Sequence, residues 1–280
     1  IRDLGRIDNA RDVSEALTLE RLGRRGFPQK VEEAAEQAAA SPIEAARQDL
    51  TGLPTFTVDP ATARDFDDAV SARREGDGLR LWIHIADVSA FVRQGSILEK
   101  EAFLRANSTY VPTSVEPMLP HSLSSGVCSL SPGDERLAVT SEMLLSGSGE
   151  VTSASFYRSR IRSDARLDYD QLDQIFAGRE SAPEIVAEQL DLARKSAAIL
   201  AELRKGNALE VNSAEPSFEF DNEGNVTRAV AERATEAHRL IEQLMVLTNE
   251  QVAGLTVSRS IPSVYRVHEM PDPDRVERML

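Results

Sequence analysis

A chain of 280 residues, 41% of them hydrophobic, is long enough to bury one large core and too apolar to be a disordered polymer. Its formal net charge of −14 excludes a simple basic nucleic-acid-binding surface, although a narrow basic channel can coexist with an acidic exterior. The apolar runs are too short to cross a bilayer, so no membrane partner is expected. Cys128 is the only cysteine, which excludes an intramolecular disulfide or a cysteine-rich zinc site and fits a reducing, cytoplasmic setting. The chain opens on Ile1-Arg2-Asp3 with no signal-peptide pattern, and lacking an initial Met its true start is expected upstream.

Residues 1–50 read as a helical lead-in, and 51–280 as the main domain. Val13, Ala16, Leu17, Leu19 and Leu22 have helical spacing in a stretch ended by Pro28, and 30–40 is a second helix stopped at Ser41-Pro42. Phe56 and Val58 alternate with Thr55 and Thr57, predicting a strand that runs into Asp59. A strand over 69–74, an Asp-Gly type turn at Glu75-Gly76-Asp77-Gly78, and a return strand with Leu79, Leu81, Ile83 and Ile85 on one face form a hairpin. Residues 96–106 read as a short helix and 111–120, with three prolines, as a loop. Strands follow at 137–145 and 153–161, then helices at 169–177 and 182–204, the latter stopped by Gly206. A hairpin around Phe218-Glu219-Phe220 and Asn222-Glu223-Gly224 precedes a long helix over 231–254. The pattern predicts an α/β fold, a mixed β-sheet flanked by helices.

The densest chemical signal is Asp59, Asp65, Asp67 and Asp68, four carboxylates within ten residues at the end of a predicted strand. Two unit charges about 4 Å apart repel by roughly 1 kcal/mol in water and about 4 kcal/mol at a partly buried site, and a hard divalent cation reverses that sign. Oxygen-only ligands with no neighbouring His or Cys point to Mg²⁺, with Mn²⁺ as the alternative, rather than Zn²⁺. Two such ions about 4 Å apart would clamp the attacking and leaving oxygens of a phosphodiester. The spacing excludes an EF-hand, whose glycine and terminal Glu are missing. His84, mid-strand, reads as a sheet histidine rather than a catalyst. The arginines from Arg158 to Arg166 suit either phosphate contact or a solvated face.

Further motifs occur in a fixed order: Asp-Pro-x-x-Ala-Arg-Asp-Phe-Asp-Asp-Ala from Asp59, Ile-His-Ile-Ala-Asp-Val-Ser from Ile83, Tyr110-Val111-Pro112, Pro117-Met118-Leu119-Pro120, Cys128-Ser129-Leu130 and Arg136-Leu137-Ala138. Over about 50–270 the chain resembles the catalytic (RNB) domain of the ribonuclease II / ribonuclease R superfamily. The resemblance implies a hydrolytic 3′-to-5′ exoribonuclease that degrades single-stranded RNA to nucleoside 5′-monophosphates with Mg²⁺. It assigns the metals to Asp59, Asp65, Asp67 and Asp68, with Asp67 the least dispensable. It places Tyr110 near the 3′-terminal nucleotide, Phe220 (or Phe218) at the outer end of the base stack, and Glu242 near the terminal ribose. Tyr169 follows the family pattern without a clear role. The chain departs from that pattern at its end: beyond Tyr265-Arg266-Val267-His268-Glu269 the family carries an arginine-rich motif, and Leu280 comes before any such motif. Oligonucleotide-binding barrels are also not recognisable. A partial RNB-type catalytic domain is therefore expected, with a catalytically silent RNA-binding or scaffold protein as the second reading and a phosphoesterase of small nucleotides as the third.

Overall fold

The structure is a computed structural model that describes every residue except 1–4, 24–25, 112–113, 206–214, 222–224, 268–271, 273–274, 276 and 279–280. Pro112, the Gly206 helix stop, the Asn222-Glu223-Gly224 turn and the His268-Glu269 pair lie outside the described residues.

Seven strands form the central sheet: β1 (Gln48–Asp49), β2 (Phe56–Asp59), β3 (Asp68–Glu75), β4 (Gly78–Ala86), β7 (Glu135–Leu145), β8 (Val151–Arg162) and β9 (Ala165–Asp168). Small hairpins supply the rest, β5 (Thr109–Val111) with β6 (Ser114–Glu116) and β10 (Glu215–Phe220) with β11 (Val226–Glu232). The sheet order is β1-β8-β7-β4-β3-β2-β9. It is mixed, as expected: β1–β8 and β2–β9 are parallel and the other pairs antiparallel.

Helices cover both faces, so the strands near the middle bury both of their sides. On one face Phe56, Val58, Val70, Leu81, Ile83 and Met143 pack with Leu172 of α4 (Tyr169–Phe176), Leu190 and Ala197 of α5 (Ala187–Arg204) and Leu240 and Leu244 of α6 (Glu236–Ser258). On the other, Ala69, Ala86, Ala138 and Ile161 meet Val31 and Ala35 of α2 (Gln29–Ala40) and Leu98 of α3 (Ile97–Arg105). That second face also carries a buried polar chain. Thr55 Oγ1 meets Ser71 Oγ at 2.7 Å, Ser71 Oγ meets His84 Nε2 at 3.2 Å, His84 Nδ1 meets Thr140 Oγ1 at 2.8 Å, and Thr140 Oγ1 meets Ser159 Oγ at 2.6 Å. His84 is thus the satisfied sheet histidine that its mid-strand position suggested, and burial pushes its pKa down to about 3.

Several local expectations are corrected. The first helix, α1 (Ala10–Leu22), is capped by the Asn9 side chain and ended by Gly23 at φ 69°, while Pro28 stands as the N-cap of α2 instead of stopping α1. Its buried side carries Ser14 and Thr18, and Leu17 is exposed. The β3–β4 turn has Gly76-Asp77 at its centre, because Glu75 pairs with Gly78. Residues expected to form a loop after Val111 contribute the β5–β6 hairpin. The long helix begins only at Glu236, since Ala231 and Glu232 belong to β11.

Candidate active site

β2 delivers Asp59 to the end of the sheet, opposite Asp168 on β9. A turn closed by Ala63 N–H on the Pro60 carbonyl (2.9 Å) then leads toward β3, which begins at Asp68 facing Ile85. The intervening loop is held from three sides. Arg166 Nη2 donates to the carbonyls of Pro60 (2.8 Å) and Ala61 (3.0 Å), with its guanidinium 5.4 Å from the Phe66 ring centre. The fully buried Ser129 uses one hydroxyl twice, accepting from Phe66 N–H at 3.0 Å and donating to the Arg64 carbonyl at 3.1 Å. Leu130 N–H reaches the Phe66 carbonyl at 2.8 Å, and Ala86 N–H reaches that of Asp67 at 2.9 Å. Arg136 Nε in turn donates to the Ser129 carbonyl at 2.7 Å. The Cys-Ser-Leu and Arg-Leu-Ala motifs therefore act here as braces of the acidic loop.

The carboxylates perturb one another in a chain. Burial, then the charge of Asp68, pushes the Asp59 carboxyl up to about 7, against the downward pull of Arg166. Burial and Asp67 push Asp68 up to about 6. Asp67 is raised by its surroundings and by Asp65, even though its side chain remains open to solvent at the loop's edge. Asp59 Oδ2 and Asp68 Oδ2 are both buried without a hydrogen-bond partner. Among the described residues, no three His, Cys, Asp or Glu side chains converge into a ready-made metal cage. The loop gathers its charge as neighbouring pairs.

Two tyrosines border this charge. Tyr110, at the middle of β5 and 68% exposed, has its hydroxyl pKa raised by partial burial and by Asp65 and Asp67. Tyr169, the first residue of α4, is pushed up to about 12 by burial and by Asp68 and Asp59. Its ring stacks on His238 at 3.9 Å between centroids, and His238 Nδ1 lies 2.8 Å from Thr235 Oγ1 at the start of α6. Glu242 is exposed one turn further along α6, and Phe220 is half-buried in the separate β10–β11 sheet. The tie of Arg166 to the loop carbonyls, the double hydrogen bond of Ser129 and the Tyr169–His238 stack were not foreseen; of these residues only Ser129 stands in one of the ordered motifs, Cys128-Ser129-Leu130, which was the signal for it. The arginine cluster is mostly paired within the protein: Arg158 with Asp87 (3.8 Å), Arg160 with Asp49 (2.9 Å) and Glu135 (3.3 Å).

An α/β sheet that presents a carboxylate loop at one end, bordered by aromatic rings, defines a class of acidic-centre domain. The RNB domain matches residues 47–280, and the chain belongs to that family. It is 39% identical over 236 residues to ribonuclease R of Vibrio parahaemolyticus, covering 82% of this chain and 28% of that protein. Ribonuclease R of Mycoplasma genitalium in complex with ribose methylated single-stranded RNA superimposes with a TM-score of 0.90 at 29% identity, over 98% of this chain and 44% of that one. The same protein in complex with double-stranded RNA matches with a TM-score of 0.90 at 28% identity, over 99% and 50%. The chain spans roughly a third of the length of the curated relatives it matches. Among the described residues no helix is long and apolar enough to cross a membrane.

Proposed function

We propose that this chain carries the acidic centre of a magnesium-dependent, hydrolytic 3′-to-5′ exoribonuclease that degrades single-stranded RNA to nucleoside 5′-monophosphates in the cytoplasm. One observation carries the reading: Asp59 Oδ2 and Asp68 Oδ2 are buried side by side in charge and lack any hydrogen-bond partner. Buried carboxylates without partners are costly, and a hard cation supplies what these oxygens lack. The donor set fits Mg²⁺ or Mn²⁺, being oxygen-only. Pairs instead of a closed cage suit an ion that keeps several waters and takes its other ligands from a substrate phosphate. When bound, such ions make a water nucleophilic and offset charge on the departing 3′ oxygen.

The chain's own residues do the positioning. Asp59, Asp65, Asp67 and Asp68 present the charge, and Ser129 holds their loop. Tyr110, exposed beside Asp65 and Asp67, offers a ring to the terminal base. Phe220 takes the outer end of the base stack, and Glu242 the terminal ribose. Stacking of about 1–3 kcal/mol per base tolerates any sequence, and a ribose contact favours RNA over DNA. The RNA-bound Mycoplasma structures support RNA as the partner. The test is single-turnover digestion of 5′-labelled poly(A) with Mg²⁺. The native chain should shorten it from the 3′ end, and Asp67→Asn should abolish the ladder while leaving the circular dichroism unchanged. An Asp67→Asn rate equal to the native one removes the catalytic reading. A native chain that binds Mn²⁺ and RNA yet leaves the 3′ end intact favours the silent RNA-binding alternative.

A further inference from the structure

Among the described residues one pair of aromatic rings is stacked, and it stands at the edge of the acidic corner. The imidazole of His238 lies over the Tyr169 phenol, with 3.9 Å between centroids and 14° between planes. Tyr169 begins α4 directly after Asp168, the residue that faces Asp59 across β2 and β9, and α4 packs on β2. Its ring is half-buried against the core, while no group among the described residues takes its hydroxyl. The charges that reach this hydroxyl are those of Asp68 and Asp59. The phenol is thus a donor without a protein partner, beside two buried carboxylates.

His238 is itself anchored. It is the third residue of α6, and its Nδ1 accepts from the Thr235 N–H at 3.4 Å and lies 2.8 Å from the Thr235 hydroxyl. The junction of α4 and α6 around it is tied twice more. Ala237 N–H donates to Asp173 Oδ1 at 3.1 Å, and Arg194 forks onto Glu236 at 2.6 and 2.8 Å with its guanidinium 4.3 Å from the Phe176 ring centre. Glu242 follows His238 by one turn, so the two share a side of α6. Long side chains in a helix lean back on the preceding turn. Tyr169, at the first position of its helix, has no such turn, and a stacked ring supplies the missing contact.

We infer that His238 is a positioning residue for Tyr169, its ring holding the phenol so that the hydroxyl donates to an oxygen of the nucleotide seated at the acidic corner. This rests on the RNA reading above.

The experiment is a double-mutant cycle on the binding of 5′-fluorescein oligo(A) to the 280-residue chain. Binding is read by anisotropy in chelator and in Ca²⁺, and folding is checked by thermal melting. Tyr169→Phe keeps the ring and removes the donor, and should weaken binding about two- to tenfold. His238→Ala should weaken it by a similar factor. Added to Tyr169→Phe it should cause little further loss, because its effect passes through that hydroxyl. A histidine that is merely structural, or that touches RNA itself, would weaken the Tyr169→Phe chain by the same factor as the native one, and that result overturns the inference. Two more variants separate the stack from the helix cap, and they provide the reading should His238→Ala not fold. His238→Phe keeps a ring and loses Nδ1, and should bind close to native. His238→Asn keeps an acceptor and loses the ring, and should bind as weakly as Tyr169→Phe. The reverse order overturns the inference. A native chain that binds together with folded variants that bind equally well overturns this inference alone. A native chain that binds oligo(A) in neither condition overturns the RNA reading and this inference with it.

Discussion

At the scale of single residues, the site trades stability for charge. Ser129 is the clearest support, because one hydroxyl satisfies the Phe66 N–H and the Arg64 carbonyl on the two sides of Asp65. Ser129→Ala leaves that half-buried amide without its partner. A loss of about 1–3 kcal/mol is expected by urea denaturation, with weaker Mn²⁺ binding alongside. Asp68 works in the opposite sense. Its carboxyl is pushed up to about 6, so at neutral pH the folded chain holds a charge that the unfolded chain would carry more cheaply. Asp68→Asn should therefore stabilise the metal-free protein, by on the order of 2 kcal/mol at pH 7, while removing the gain in melting temperature that Mg²⁺ gives the native chain. A variant that melts lower than native without metal would mean that the carboxylate makes a structural contact instead.

At the scale of elements, strands were more legible than turns. The stripe of Leu79, Leu81 and Ile83 announced β4 because a buried sheet face needs a period of two, and the same logic placed Asp59 at a strand end. The β5–β6 hairpin stayed hidden because its prolines read as loop. The buried face of α1 stayed hidden because it is made of Ser14 and Thr18, which carry no hydrophobic signal. The acidic loop was visible as charge density, but its braces, Ser129 and Arg166, come from distant parts of the chain and have no local periodicity. The hairpin turn was misread because two glycines compete for the same role. Gly76 has φ 56° and open space around it, whereas a Cβ on Gly78 would lie 2.2 Å from the Leu145 carbonyl oxygen. The two substitutions should separate these roles. Gly76→Ala should cost about 1 kcal/mol in conformational strain. Gly78→Ala forces β4 away from β7 and should cost about 3 kcal/mol or more, read as a larger fall in the urea midpoint. Equal effects would mean that the strand edge yields easily.

At the scale of the whole molecule, two buried features titrate in opposite senses. His84 is neutral in the fold, with its pKa lowered to about 3, so its contribution is complete above about pH 6.5 and is lost as pH falls toward 3. The Asp59 and Asp68 pair has raised pKa values, so the folded chain binds more protons than the unfolded one, and stability is lost as pH rises from about 4 through 6 to 7. Each group contributes a slope of about 1.4 kcal/mol per pH unit inside its window, and the pair titrates as a unit. Between pH 5 and 6 the two carboxylates outweigh the one histidine. Two further carboxylates, Asp49 held down by the Thr51 amide and hydroxyl and then by Arg160, and Glu75 held down by Arg80, both at about 2, have by then nearly completed their contribution. Metal-free protein at fixed ionic strength should therefore lose stability as pH rises from 5 to 6, and saturating Mg²⁺ should flatten or reverse that fall by favouring the charged carboxylates. In the double variant Asp59→Asn with Asp68→Asn only the raised Asp67 still opposes the histidine, so the fall in stability over the same interval should shrink or reverse in the absence of Mg²⁺. Urea denaturation at several pH values, in chelator and in Mg²⁺, reads all of these slopes. A native chain whose metal-free stability already rises from pH 5 to 6 would show that the two aspartates ionise as freely folded as unfolded, and the acidic corner would then have no unmet need for a cation.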